Sequence, residues 1–299
     1  MSKEFVLVTL GGIGDVLVCT PAIRALREHY PDCHIITYST SVRHTDVLVN
    51  NPCIDSVRIL SPRYLLRYPV HLYAYLFNRK LLRYTSLSFQ WINFYPTIIQ
   101  LSAKEVVGQI FDITIRDKNI ELFLTKEEER AAKQKLSPYE NVVIMHIHSR
   151  TSANHHWSMK KWAALVRALP EYTFIQVGLK DEPCVEGAVD WRSKTSLREI
   201  FALLKYATSF VGVDSSVAHA TNAFNVPGVV LFGDTSPVHW GHPNNVNIYK
   251  GLECSPCYQI LGRDPCPFQH ECMDLISVDE VKQALVRQVS SRSLVALPD

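Results

Sequence analysis

The amino-acid sequence predicts an α/β protein built from two parallel-sheet domains. Three observations support this fold class: the chain has 299 residues, Val- and Ile-rich runs alternate with helix-like segments, and this alternation restarts in the second half. The length suffices for two domains that each bury a core. Hydrophobic residues make up 47% of the chain and its formal net charge is +2, which argues against intrinsic disorder and against a tail that neutralises a polyanion.

The first half contains three predicted strands and one predicted helix. The strands cover residues 5–10, 34–38 and 57–60, and the first of them begins so close to Met1 that the N-terminus resembles a strand rather than a signal peptide. Between the first two strands, Ile23, Leu26 and Tyr30 recur at helical spacing. This spacing predicts a helix over residues 22–30 that ends before Pro31.

The second half repeats the pattern with four predicted strands, at residues 142–147, 174–177, 210–213 and 229–232. Helices are predicted over residues 160–169 and 197–206, the second opened by a capping box from Ser196 to Glu199. A last helix over residues 278–290 opens with a similar box. The polar segment 125–140 separates the halves, so the boundary is placed near residue 138, with domains 1–138 and 139–299.

The segment from residue 64 to residue 95 combines ten aromatic residues with four basic ones. Two interpretations are open. The segment could form helical hairpins that pack their aromatic side chains into the first domain. It could also be a surface for the acceptor or for a membrane interface, where aromatic and basic side chains favour headgroups and anions.

A glycine-rich turn follows the first strand and leads to Asp15. Gly11, Gly12 and Gly14 do not have the G-x-G-x-x-G spacing of a dinucleotide fingerprint. Gly12 and Gly14 do permit a ligand to approach the backbone at the carboxyl end of a strand, where open parallel sheets bind ligands. Asp15 could serve as an acidic residue in the first turn of a helix, or as a general base facing an interdomain cleft.

A second candidate site begins at Asp214, at the end of a predicted strand. Free N–H groups at the following helix start, together with the hydroxyls of Ser215 and Ser216, could bind a diphosphate. His219 lies one turn further on the same helix face. The alternative is that Asp214 is an ordinary helix cap.

A third candidate site contains four histidines within eleven residues, again after a predicted strand. No acidic or cysteine partner lies near His146, His148, His155 and His156 in the sequence, so a metal site is disfavoured. A polar, partly cationic loop over phosphates is the preferred interpretation.

Four cysteines near the C-terminus have the spacing C-x2-C-x8-C-x5-C. Cys254, Cys257, Cys266 and Cys272 could close a tetrahedral structural site for zinc or iron, and free thiols or disulfides are the alternative. Four ligands leave no open position for catalysis. A nucleic-acid-binding finger is disfavoured because Arg263 is the only Lys or Arg between Cys254 and Cys272.

Several ordered motifs together resemble glycosyltransferase family 9, the ADP-heptose heptosyltransferases of lipopolysaccharide core assembly. The matching segments are Gly11-Gly-Ile-Gly-Asp-Val16 with Pro21-Ala-Ile-Arg-Ala-Leu26, His156-Trp157 with Trp162, Val213-Asp-Ser-Ser-Val-Ala-His219, Leu231-Phe-Gly-Asp-Thr-Ser-Pro237 with Trp240-Gly241, and Cys254-Ser-Pro-Cys257. The likeness extends from residue 5 to about residue 285 and is weakest over residues 61–105.

This resemblance implies a GT-B fold, in which two Rossmann-like domains face each other. The N-terminal domain would hold the acceptor and the C-terminal domain the donor, with an inverting mechanism that needs no catalytic metal or other cofactor. The resemblance assigns Asp15 as the base, Asp214 and His219 to the donor site, Glu182 to the donor ribose and Thr151 to a phosphate.

The sequence departs from the family pattern at two positions. His155 stands where the family usually has lysine, and Ser216 where it usually has glycine. A mostly neutral imidazole supplies less charge to a diphosphate than an ammonium group does. Either Arg150 or Lys160 would compensate, or the donor or its affinity differs.

The leading prediction is an inverting glycosyltransferase that transfers a sugar, heptose from ADP-heptose in the first instance. The acceptor would be a saccharide of the lipopolysaccharide-core type or a protein. A catalytically weak or inactive protein that binds nucleotide sugars on the same scaffold is the alternative. The expected location is cytoplasmic, with peripheral contact at the inner membrane left open and no nucleic-acid partner.

Overall fold

The computed structural model describes residues 4–9, 11–39, 41–59, 84–86, 101–150, 153–257 and 266–295. The chain divides into two compact units, residues 1–123 and residues 124–299. Both units are α/β structures with parallel sheets, as the sequence predicted. None of the helices within the described ranges is both long enough and apolar enough to cross a membrane.

The first unit contains a four-stranded parallel sheet. Its strands are in the order β3-β2-β1-β4, and the order reverses between β1 and β4. The carboxyl end of β1 therefore lies at the switch point where open α/β sheets bind ligands. In chain order the elements are β1 (Glu4–Thr9), α1 (Ile13–His29), β2 (His34–Ser39), α2 (Val42–Leu48), β3 (Ser56–Ile59), β4 (Tyr84–Ser86) and α3 (Ala103–Phe111).

Helix α1 begins at Ile13 rather than at residue 22 as predicted. The carboxylate of Asp15 accepts a hydrogen bond from the Gly12 backbone N–H at 2.7 Å, which stabilises the helix N-terminus well before Pro21. Pro21 lies inside the helix, and the apolar residues around it are buried. The aromatic-basic segment at residues 64–95 lies outside the described residues except for β4.

The second unit contains a six-stranded parallel sheet in the order β10-β9-β8-β5-β6-β7. If β5 is counted as strand one, this is the 3-2-1-4-5-6 order of the Rossmann fold, with its switch point between β5 and β8. Its elements are α4 (Lys126–Leu136), β5 (Val142–His146), α5 (Met159–Arg167), β6 (Thr173–Gln176), β7 (Val189–Asp190), α6 (Leu197–Tyr206), β8 (Ser209–Val213), α7 (Ser216–Thr221), β9 (Gly228–Phe232), α8 (Pro237–Trp240), β10 (Asn245–Tyr249), α9 (Glu271–Asp274) and α10 (Val278–Val295).

The division between the units falls after Phe123, earlier than the expected residue 138. The polar segment that suggested a linker forms helix α4 and joins the second unit through ion pairs with α6. Arg198 Nη2 lies 2.5 Å from Glu128 Oε2, and Lys205 Nζ lies 2.7 Å from Glu129 Oε1. The charged composition of this segment therefore belongs to a helix with an exposed face, which begins just after the division between the units.

The core of the second unit forms where α5 and α10 cover the sheet. Trp162, Phe174 and Leu285 are fully or nearly fully buried in it. The indole N–H of Trp157 donates to the carbonyl of Ile276 at 3.0 Å. This hydrogen bond connects the loop after β5 to the segment that precedes α10. It therefore helps to fix that loop at the carboxyl edge of the sheet.

Candidate functional site

Asp15 lies in the first turn of α1, directly after the glycine turn that ends β1. Gly11 has φ of 84°, a left-handed conformation that favours glycine, and a Cβ atom there would lie 2.5 Å from Asp15 Oδ2. The carboxylate is half-buried and accepts the Gly12 N–H. The structure thus gives Asp15 its helix-capping role, and its position at the switch point also suits a general base.

His44 supports this turn from α2. Its Nε2 lies 3.1 Å from the carbonyl oxygen of Gly11, and its Nδ1 lies 3.3 Å from Thr9 Oγ1. Burial lowers the pKa of His44, so the ring is neutral at pH 7, although its contacts with Gly11 and Thr9 oppose the shift. Sequence analysis did not select His44, because one buried histidine in a short helix has no distinguishing spacing.

Asp214 follows β8 directly at the switch point of the second sheet. It is buried, and its Oδ2 accepts a hydrogen bond from Thr235 Oγ1 at 2.7 Å. Its Oδ1 lies 3.6 Å from Nε2 of His219 in α7. Asp214 is therefore not simply a helix cap: Ser215 is the N-cap residue of α7, and its hydroxyl accepts the Ala218 N–H at 3.4 Å.

A second polar chain runs from Ser215 to Glu182 through His146, the last residue of β5. His146 Nδ1 lies 2.9 Å from Ser215 Oγ, and its Nε2 lies 3.9 Å from Glu182 Oε2. Burial lowers the pKa of His146 to about 4, so its ring is neutral at pH 7. Because the Ser215 oxygen already accepts the Ala218 N–H, its O–H can donate to Nδ1, which leaves the ring hydrogen on Nε2 towards Glu182.

Glu182 lies in the loop after β6, the strand that corresponds to the second strand of a Rossmann fold. Burial raises the pKa of its carboxyl group, and its Oε2 is buried with no hydrogen-bond partner among the described residues. Gly178 has φ of 143°, and a Cβ atom there would lie 2.0 Å from Glu182 Oε2. Acidic side chains at this position of Rossmann folds accept ribose hydroxyls.

His155 forms a buried pair with Asp234, which lies just after β9. His155 Nε2 is 2.5 Å from Asp234 Oδ1, and their side chains are 2% and 0% exposed. Burial alone would lower the pKa of His155, but the hydrogen bond and charge of Asp234 outweigh burial and raise it. His155 therefore faces the Asp234 carboxylate inside the protein, which differs from a loop residue facing phosphates.

The other predicted phosphate-binding residues lie in both units. Arg150 is exposed and forms an ion pair with Asp181, with 2.6 Å between Nη2 and Oδ2. Lys160 is exposed in the first turn of α5, Ser216 begins α7, and Gly14 lies in the first turn of α1. Thr151 lies outside the described residues.

The structure gathers Glu182, Asp214, Ser215 and His219 at the carboxyl edge of the second sheet, as the strand order requires. It also adds three residues that sequence analysis did not select, namely Asp234, Thr235 and His242. Asp234 and Thr235 stand inside the quoted motif 231–237, so a signal for them was present. Asp15 belongs to the first unit.

One of the four cysteines near the C-terminus, Cys272, is influenced electrostatically by the other three. Burial raises the pKa of Cys272 to about 11, and negative charge on Cys266, Cys254 and Cys257 adds to this effect. Within the described residues, however, no three histidine, cysteine or carboxylate side chains converge closely enough to hold a metal ion. The cysteines are free thiols in this structure, and residues 258–265 between them are not described.

Comparison with known families gives one match. A sequence model described as glycosyltransferase family 9 (heptosyltransferase) matches residues 95–266, which is more than half of the chain. A search of curated proteins gives no match.

Solved structures with the same fold are similar along almost the whole chain. A family 9 glycosyl transferase from Veillonella parvula has a TM-score of 0.72 at 16% identity, covering 97% of each chain. ADP-heptose lps heptosyltransferase II of E. coli has a TM-score of 0.71 at 15% identity, covering 97% of this chain and 99% of that one. The iron-containing dodecameric glycosyltransferase TibC from enterotoxigenic E. coli has a TM-score of 0.70 at 19% identity, covering 98% and 78%.

Proposed function

The chain belongs to glycosyltransferase family 9, and on that premise we propose that it transfers heptose from ADP-heptose to an acceptor hydroxyl with inversion at the anomeric carbon. The observation that carries this proposal is the polar cluster at the switch point of the second sheet. Its carboxylates, hydroxyls and imidazoles match the needs of a nucleoside diphosphate, which presents ribose hydroxyls and phosphate oxygens.

The donor contacts proposed here divide between two parts of the cluster. Glu182 would accept a ribose hydroxyl, because its buried Oε2 lacks a hydrogen-bond donor among the described residues. Asp214, Ser215, Ser216 and His219 would surround the diphosphate through backbone N–H groups, hydroxyls and the imidazole. The backbone at Gly12 and Gly14 would allow the donor sugar or acceptor to approach the first unit closely.

Asp15 would act as the general base. Its carboxylate would take the proton of the acceptor hydroxyl while the hydroxyl oxygen attacks the anomeric carbon and the bond to the diphosphate oxygen breaks. ADP would leave with the bonding electrons. Exclusion of water from the bound donor would limit its hydrolysis. In this scheme the chain needs no catalytic metal.

The positive charge opposite the diphosphate would come from Arg150 or Lys160, since His155 is paired with Asp234. Both side chains are exposed and follow β5 in the chain, and Arg150 could exchange Asp181 for a phosphate. Thr151 would add a hydroxyl contact. Replacing each of the two residues by alanine should show which one contacts phosphate. Loss of that residue should raise the Kd of ADP by about tenfold, and loss of the other should raise it much less.

Transfer and donor binding can be separated by Asp15→Asn. The variant should bind ADP as the wild type does but lose transfer, because only the proton acceptor is removed. Calorimetry with ADP and mass spectrometry of products from ADP-heptose with saccharide and protein acceptors would test both parts. Unchanged turnover would exclude Asp15 as the base. Donor binding by the wild type without consumption for any acceptor would favour a binding protein.

The acceptor proposed here is a saccharide of the lipopolysaccharide-core type or a protein, bound by the first unit. An acceptor linked to lipid would bring the chain into peripheral contact with the inner membrane from the cytoplasm. Sedimentation with anionic vesicles tests this association directly. Retention of the protein in the supernatant at low salt, where electrostatic attraction is strongest, would contradict it.

A structural metal, zinc or iron, is proposed for Cys254, Cys257, Cys266 and Cys272. The C-x2-C-x8-C-x5-C spacing supports it. Elemental analysis of the purified protein should find about one metal ion per chain. Cys257→Ser should lose the metal, whereas Cys184→Ser, which replaces an exposed cysteine elsewhere in the second unit, should retain it. A metal-free wild type would contradict the proposal.

A further inference from the structure

A buried pair of histidine rings lies directly behind the proposed diphosphate site. Nδ1 of His219 is 2.8 Å from Nε2 of His242, a hydrogen-bond distance, and the two rings are nearly perpendicular at 87°. His219 is 5% exposed and His242 is 3% exposed. His242 follows α8 and does not itself lie at the end of a sheet strand.

Only one hydrogen can lie between these two nitrogen atoms. If a neutral His219 carried it on Nδ1, its Nε2 would present a lone pair to Asp214 Oδ1 at 3.6 Å, which is unfavourable in a buried environment. If His242 carries the hydrogen on its Nε2 and donates it, His219 keeps its own hydrogen on Nε2, directed to the Asp214 carboxylate. The other oxygen of Asp214 already accepts from Thr235.

We propose that His242 is a positioning residue that donates its Nε2 hydrogen to His219 and so confines the hydrogen of His219 to Nε2. The polar chain then runs in one direction, from His242 to His219 to Asp214. His219 would thereby hold the Asp214 carboxylate beside the diphosphate with a fixed N–H group, instead of with an imidazole that alternates between two tautomers. The hydrogen assignment stands on the contacts alone, whereas its use in binding rests on the proposed function.

The tautomer can be measured directly. Nitrogen-15 NMR of the full chain with labelled histidine, in the absence of ligand at pH 7.5, should show His219 as the neutral Nε2–H tautomer, identified by the signal that a His219→Gln variant lacks. In His242→Phe the donor is removed and Asp214 alone still favours the Nε2–H form, so the Nδ1–H tautomer of His219 should rise to a measurable population. In His242→Gln the side-chain amide can donate to the same nitrogen, so the Nε2–H tautomer should be retained.

The consequence for binding is measured with ADP by calorimetry. His242→Phe should raise the Kd about tenfold, while His242→Gln should stay within about threefold of the wild type. Asn247→Ala is the matched control, because Asn247 Nδ2 donates to the backbone carbonyl of His242 at 3.4 Å and not to its ring. This control should leave the tautomer of His219 and the Kd unchanged.

Several outcomes would overturn the inference: a wild-type His219 that is an imidazolium or the Nδ1–H tautomer, a His242→Phe variant with an unchanged tautomer, or an Asn247→Ala control that reproduces the effect of His242→Phe on both readouts. If His242→Phe does not fold, the tautomer of His219 in the wild type and in His242→Gln still tests the proposal. A wild type that binds no ADP, with the Nε2–H tautomer present, would refute the proposed function and leave the hydrogen assignment supported.

Discussion

At the scale of single residues, buried histidines supply much of the polar structure around the second sheet. His146, at the end of β5, and His155, in the loop that follows, both belong to the segment that the sequence marked by four histidines, yet they have opposite protonation tendencies. Burial lowers the pKa of His146, while Asp234 raises that of His155 despite burial. A shared residue type therefore does not imply a shared role, because the neighbouring carboxylate decides which form is stable.

The low pKa of His146 should make stability depend on pH. With about 6.5 in the unfolded chain and about 4 in the folded one, the unfolded state binds more protons between these values, so the free energy of unfolding falls as pH drops from 6.5 to 4. The loss is about 3 kcal/mol at most. His146→Asn, which does not titrate, should lack this component in urea unfolding at pH 7.5 and 4.5. Parallel losses in both proteins would contradict the assignment.

The glycine turn provides a matched pair of variants. Gly11→Ala places a Cβ atom 2.5 Å from Asp15 Oδ2 in a left-handed conformation, whereas at Gly12 the same atom would be in ordinary contact at 3.5 Å. Gly11→Ala should lower the melting temperature and reduce transfer at least tenfold, since it displaces the Asp15 carboxylate. Gly12→Ala should keep the melting temperature. Equal losses of melting temperature in Gly11→Ala and Gly12→Ala would contradict this steric explanation.

At the scale of secondary-structure elements, the sequence predicted α6 because its start signal is local. Ser196 Oγ accepts the Glu199 N–H at 3.2 Å, and Glu199 Oε2 accepts the Ser196 N–H at 2.7 Å, as the capping box requires. Helices α2 and α3 were missed, although Ser102 and Glu105 form a capping box before α3. A sequence signal for α3 was therefore present, because Ala103, Val106, Val107 and Ile110 also recur at helical spacing.

The capping box of α6 can be compared with a helix start that lacks one. Ser196→Ala should lower the free energy of unfolding by about 1 kcal/mol. Ser158 occupies the N-cap of α5 without a side-chain hydrogen bond to the helix, so Ser158→Ala should cost much less. Chemical denaturation of the two variants against the wild type checks this difference. A Ser158→Ala loss as large as that of Ser196→Ala would contradict it.

At the scale of the whole molecule, the proposed base and the proposed donor site belong to different units of one chain. Asp15 lies in residues 1–123, and Asp214 lies in residues 124–299. The enzyme proposed here would need both units, because one would supply the base and the other the donor site. The family match extends across residues 95–266 and so includes the end of the first unit and most of the second.

Mixing two inactive variants tests whether both halves of the site come from one chain. Asp15→Asn removes the base and Asp214→Asn weakens the donor site, so each alone should be inactive. If the site forms within a chain, an equimolar mixture should remain inactive, because neither protein has both groups. Recovery of about a quarter to a half of wild-type transfer would instead indicate a site shared between chains.

The sequence by itself determined the fold class, the parallel strands and the positions of Asp15, Glu182, Asp214 and His219 at strand ends or in the loops and helix starts that follow them. These features depend on local hydrophobic period and on motifs of a few residues, which are written in consecutive positions. Only the tertiary structure decided that His155 is paired with Asp234, that His146 links Ser215 to Glu182 and that His242 contacts His219. These partners are distant along the chain, and the strand order brings them together, so burial and pairing set their protonation in a way that no local pattern encodes.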